Sequence, residues 1–227
     1  MKKIIGILLA LAMVFSTSVI SFAGTIQTEN LNITPLTDTT YMLSDGKDTA
    51  IMKFSETSQN LKVEITNASG VDSDNGYFLI DKTTGNIYSS FTGESINTSD
   101  IITKGGMQID NSEDISTTAV GDVVWSKTYK VSYAKLAKLC NSASSNLTIA
   151  SAIITCVAAV AGVTISTTAI MLISVTTIGF EVIKAGIKSK SSSHGISAKV
   201  QKVEIQKHQG GRLVTGYSYK IKSVGAY

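Results

Sequence analysis

Forty-two consecutive residues, 139–180, carry no charged side chain and no proline. Nothing else in the chain restricts its fold as strongly. Apolar sequence of this length has to be covered by protein or by lipid, since each Å² left in water forfeits about 25 cal/mol. As one helix, residues 147–180 would extend roughly 50 Å, well beyond a hydrocarbon layer of ~30 Å. Two helices folded at Ala161-Gly162-Val163-Thr164 fit better. The first covers about 146–161, and the second about 166–188 with Ser166 or Thr167 as its cap. Ile149, Ala152, Ile153, Cys156, Val157 and Val160 occupy most of the first helix's circumference, so it has no clean polar face. Ala, Gly, Ser and Thr permit close helix packing in water or lipid, while the β-branched Ile, Val and Thr also suit strands.

Three readings follow: a membrane span, a permanent core, or a helical hairpin that is hidden in a soluble fold and inserts later. The excess length, the Gly162 break and the hydroxyl content count against a plain anchor. The flanking lysines favour the inserting hairpin, because Lys135 and Lys138 before it and Lys184, Lys188 and Lys190 after it would lie at one anionic surface. On that reading the insertion candidates are Ile153, Val157, Val160, Gly162, Ile170, Ile173 and Phe180. The cationic contacts are Lys127, Lys130, Lys135, Lys138, Lys184, Lys188, Lys190, Lys220 and Lys222.

Charge divides the chain. Residues 24–123 hold fifteen Asp and Glu against five Lys, a balance of −10; residues 124–227 hold thirteen Lys and Arg against Glu181 and Glu204, a balance of +11. Opposite fields in two halves point to two functional parts. At the N-terminus, Lys2 and Lys3 precede an apolar run over 4–15 and a small-residue site at Ser21-Phe22-Ala23. This is the pattern of a secretory signal peptide cleaved near Ala23, and it implies a secreted, extracellular protein.

The acidic half reads as strands, and Leu61 to Ile65 alternates apolar with charged residues. Tyr41-Met42-Leu43, Ala50 to Phe54 and Leu61-Lys62-Val63-Glu64-Ile65 are separated by turn residues, and Gly76 to Asp81 with Asn86 to Phe91 predicts a hairpin turning at Gly85. Next, residues 111–121 have linker composition. Val123 to Val131 reads as a strand, and Ser132 to Cys140 as a short cationic helix capped by Ser132. Ile196 to Gln206 and Arg212 to Val224 predict a closing basic hairpin with Tyr217, Tyr219 and Ile221 on one face. The fold class is therefore α+β: a small antiparallel β domain, an apolar helical hairpin and a C-terminal cationic β-hairpin. The divisions are 1–23 signal peptide, 24–110 acidic β-rich domain, 111–121 linker, 122–146 cationic strand and helix, 147–190 apolar hairpin, and 191–227 basic hairpin.

Signatures of chemistry are sparse. His194 and His208 lack zinc-helix spacing, and no nucleophile elbow, Walker loop or dinucleotide fingerprint is present. Asp72-Ser73-Asp74-Asn75-Gly76 begins like a calcium loop but has Gly76 at a ligand position and no closing Glu, so it reads as an Asx turn. No enzyme, cofactor or metal is implied. Cys140 and Cys156 would be roughly 24 Å apart on one continuous helix; a break at 141–146 would let them pair, and otherwise they are buried free thiols. Export and the apolar stretch argue against nucleic acid as the partner of the basic half.

The cationic aromatic segment from Trp125 to Leu139, the Gly-broken apolar stretch, Ser193-His194-Gly195 and the closing Tyr217-Ser218-Tyr219-Lys220-Ile221-Lys222 together resemble the geobacillin-like large secreted bacteriocins of Gram-positive bacteria. The resemblance covers about the last half of the chain and lies in its layout. It implies an antibacterial, membrane-active protein with no catalytic residues, acting on an anionic bacterial membrane. An immunity or receptor protein, and assembly into oligomers on the membrane, belong to that expectation. The acidic half lies outside it. The runner-up is a secreted binding or structural module whose hairpin never leaves the core.

Overall fold

The computed structural model describes residues 31–68, 75–104, 123–162, 171–173, 179–209 and 212–227. The signal segment, the 111–121 linker, residues 72–74 of the Asx-turn motif, and Ile170 lie outside the described residues. The fold is mostly antiparallel β-sheet with a few helices.

The acidic half forms a seven-stranded meander in which each strand pairs with the next: β1 (Asn32–Thr37), β2 (Thr40–Ser44), β3 (Thr49–Glu56), β4 (Asn60–Asn67), β5 (Gly76–Asp81), β6 (Asn86–Ser89) and β7 (Ser95–Asn97). Period-two alternation sends one side chain in two to the core: Leu61, Val63 and Ile65 of β4 are buried, as are Met52 of β3 and Phe78 of β5. β1 has no counterpart in the strand expectations because Pro35 interrupts it. Its place at the sheet edge, with a register shift between Pro35 and Thr37, is where a strand tolerates proline. The β5–β6 turn is built as the sequence predicts. Asp81 accepts from the Thr83 and Thr84 amides, and Gly85 takes φ +72°.

Beyond β7 the chain changes sheets. Asn97 caps a 3₁₀ turn (Thr98–Asp100) in a reciprocal capping box, which redirects the backbone into β8 (Ile102–Lys104). β8 pairs with β9 (Val123–Ser132) at the edge of a second, five-stranded sheet. Next inward is β11 (Gly195–Gln209), then β12 (Arg212–Ala226). β11 and β12 make the C-terminal hairpin, antiparallel from Ile196↔Ala226 to Gln209↔Arg212.

Among the described residues, three α-helices accompany these sheets. Helix α1 (Tyr133–Leu136) starts at the predicted cap, Ser132, whose hydroxyl accepts from the Lys135 amide. It is one turn long rather than reaching Cys140. The carbonyls of Lys138 and Leu139, which would be unpaired at the end of a helix reaching Cys140, accept the hydroxyls of Thr92 and Ser89. Helix α2 (Asn146–Ala161) starts at Ser145 and stops at Gly162, which adopts φ +64°. Helix α3 (Phe180–Ser189) ends in a left-handed Lys190 and packs on α1, where Gly186 meets the face of Tyr133.

The expected second helical arm, over about 166–188, is helical from Phe180 and is corrected at 171–173, while 163–170 and 174–178 lie outside the described residues. Met171–Ile173 is a strand, β10, joined in parallel to β12 through Met171↔Tyr219, Leu172↔Lys220 and Ile173↔Ile221. In an unbroken run of β-branched and apolar residues, periodicity does not separate helix from strand. An otherwise open edge of β12 offers backbone partners, and the strand takes them. Among the described residues, helix next appears at Phe180, where Glu181, Lys184 and Lys188 restore an amphipathic pattern.

Candidate functional site: a sheathed apolar helix

Helix α2 is the longest described element of the uncharged stretch, and both sheets cover it. The hydroxyl of Ser145 accepts from the Thr148 amide to satisfy an otherwise unpaired donor of the first turn. Twelve of the sixteen residues of α2 are buried. At 100° per residue, Ile153, Cys156 and Val157 share one face. That face meets Tyr129 and Val131 of β9 and Ile196 and Ala198 of β11, around a void of only about 10 Å³. On the opposite face, Ala158, Ala159 and Gly162 line an open cleft of about 280 Å³ with Leu61 and Ile80 of the acidic sheet. Small side chains on this second face let the helix approach β3, β4 and β5 closely.

The helix hydroxyls need no external partner. Ser151 Oγ donates to the Leu147 carbonyl and Thr155 Oγ1 to the Ser151 carbonyl, each at 2.8 Å. Both are fully buried. Their polarity is therefore neutralised within the helix, and moving α2 from one apolar environment to another would break neither bond.

A small set of polar links joins the acidic sheet to the chain leading into α2. Ser89 Oγ donates to the Leu139 carbonyl at 2.6 Å, and Asn146 Nδ2 donates to Asp45 Oδ2 at 3.0 Å. Lys135 reaches Asp100 at 2.9 Å and Lys138 reaches Glu94 at 3.7 Å. The hydrogen bond from Lys135, helped by the Asn97 amide, holds the Asp100 carboxyl below the usual carboxylate range. Burial of Asp45 opposes its ionisation, but the amides of Asp48 and Lys47 and the Asn146 side chain outweigh it, so this carboxyl too lies below its ordinary value.

The two cysteines are buried and free. Burial pushes the Cys156 thiol up to about 12, and burial together with the neighbouring Cys156 raises Cys140 as well. Both are thus inert neutral thiols, not poised nucleophiles.

The structure divides the predicted insertion residues. Ile153 and Val157 are buried on α2, Val160 is half-buried in its last turn, and Gly162 forms its exposed cap. Ile173 belongs to β10, and Phe180 is buried at the start of α3. The lysines are spread as widely. Lys127 and Lys130 stand on β9, Lys135 on α1, Lys138 just after it, Lys184 and Lys188 on α3, Lys190 at its end, and Lys220 and Lys222 on β12. Lys135 and Lys138 are committed to the acidic sheet, and Lys184 pairs with Glu181 at 3.6 Å. Lys104 and Lys199 were missed by sequence reasoning, although alternation in Ile196-Ser197-Ala198-Lys199-Val200 marks Lys199 as outward-facing.

Among the described residues no helix is long and apolar enough to cross a membrane, and no group of three His, Cys, Asp or Glu could hold a metal ion. His194 sits in an exposed turn, within hydrogen-bonding distance of Ser191 and Ser193. No protein-family model matches the chain, and no characterised protein or solved structure is significantly similar to it.

Proposed function

We propose that this is a secreted, membrane-active antibacterial protein whose basic half brings it to anionic bacterial membranes and whose uncharged stretch, led by α2, enters the lipid. The observation that carries this reading is the packing of α2: a helix without charge, its hydroxyls internally bonded, lies between an acidic and a basic sheet. The acidic sheet acts as a sheath, attached by the Ser89, Thr92 and Asn146 hydrogen bonds and the Lys135 and Lys138 ion pairs. Such surface ion pairs are worth about 0–1 kcal/mol each and weaken where lysines find lipid phosphates instead. The bacteriocin-like layout of the C-terminal half supports the same reading. Dye release from anionic vesicles by the mature protein, before and after limited proteolysis between the two sheets, tests it. Release that falls with salt is expected; no release under any processing condition overturns it.

A second reading is favoured by the burial of Leu147, Ile149 and Ala152, each no more than 1 % exposed. In this case α2 is a permanent core and the protein is a secreted binding module. Its α2 amides would then stay protected from hydrogen exchange in the presence of vesicles.

A further inference from the structure

The outward face of the five-stranded sheet carries positive charge in a two-dimensional array. Cross-strand register defines this face. Tyr129 and Val131 point into the core, so Thr128 and Lys130 point out. Lys104 is opposite Thr128, Lys199 is opposite Thr128 on the other side, and Lys220 is opposite Gln201, itself paired with Ser126. Lys104 and Lys199 are exposed, and Lys130 and Lys220 are half-buried. Among the described residues no ion pair engages these four lysines, and no carboxylate occupies an outward position between them. Lys130 Nζ lies 4.4 Å from the centre of the Tyr227 ring, which holds the ammonium at the surface.

We infer that this sheet face is the surface by which the protein adsorbs to an anionic lipid bilayer. The inference rests on the membrane-active reading and narrows it to four residues, two of them outside the lysines that the sequence singles out. The four lysines come from four strands spaced about 4.8 Å apart, so they span an area instead of a line. A linear polyanion is usually tracked by a groove with stacked aromatic rings; the open face with interleaved Ser126 and Thr128 matches a planar field of phosphates. Exposed Ile102, opposite Lys130 at the sheet edge, supplies an apolar contact beside the charges. In this orientation the sheet stands between the lipid and α2. Adsorption is therefore a separate step that leaves α2 sheathed.

The test uses the full chain and vesicles of phosphatidylcholine with and without phosphatidylglycerol, reading binding by sedimentation and insertion by dye release. Replacing Lys104, Lys130, Lys199 and Lys220 by Gln should lower partitioning to the anionic vesicles by about fivefold per lysine, at least ~100-fold in all. Replacing Lys184, Lys188 and Lys190 by Gln should lower it less than threefold. The single exposed Lys199→Glu variant, with an unchanged circular dichroism spectrum, should already bind about tenfold more weakly. Equal losses in the sheet and helix variants overturn the inference, as does a wild-type chain that ignores anionic vesicles or binds only a soluble homopolymer RNA. Binding that follows the four lysines without any dye release keeps this inference and rejects the insertion reading.

Discussion

Ser89 gives its hydroxyl hydrogen to the carbonyl of Leu139, fifty residues further along, in a fully buried bond of 2.6 Å. The first residue of the uncharged stretch is thus fastened to the last residue of β6, a strand of the acidic half's sheet. Ser89→Ala leaves that carbonyl buried without this donor, a loss of about 1–3 kcal/mol. Urea denaturation should report it, with the midpoint falling and the slope unchanged.

Asp100 and Lys135 make the connection sensitive to pH. The folded Asp100 carboxyl lies below its unfolded value of about 3.9. Its contribution is therefore complete above that unfolded value and is lost as pH falls through the lower folded one. Asp100→Asn should flatten the decline of Tm below about pH 4 and, at neutral pH, cost only about 0.2–1 kcal/mol, because both side chains are partly exposed. Thermal melts from pH 2 to 7 check both effects.

Two glycines separate a hard contact from a softer one. A Cβ on Gly195 would stand 2.1 Å from the Val131 carbonyl oxygen in the paired strand β9, whereas on Gly186 it would stand 2.4 Å from the ring of Tyr133. A ladder backbone cannot retreat without breaking pairs, but a ring can tilt. Gly195→Ala should therefore cost about 3 kcal/mol and Gly186→Ala about 1–2 kcal/mol, in chemical denaturation of the two variants side by side.

Cys156 reports on the fate of α2. Its thiol is buried against Tyr129 and Val131 and has its pKa pushed up to about 12. At pH 7.5 a maleimide or disulfide reagent should label it at least ~100-fold more slowly than a free thiol. Labelling of a Cys140→Ala protein should accelerate when anionic vesicles release α2 from its sheath. A rate unmoved by vesicles would favour the permanent core.

Local chemistry made much of the fold legible. Short apolar runs between turn residues, with clear alternation in β4 and β12, identified β2 to β5 and the closing hairpin, Gly85 marked a turn needing positive φ, and Ser132 marked a helix start. Each of these depends on groups a few residues apart, so sequence order alone places them together. The charge division was legible too, and it separates the two sheets apart from β8, which leaves the acidic half to pair with β9.

The uncharged stretch was different. By itself the sequence determined that residues 139–180 had to be covered, because water cannot solvate so many apolar groups cheaply. Only the tertiary structure decided how. Two sheets enclose α2 on opposite faces, whereas Met171–Ile173 completes the edge of β12. Burial drives the first choice and the backbone's demand for hydrogen-bond partners the second; both depend on surfaces assembled from distant parts of the chain.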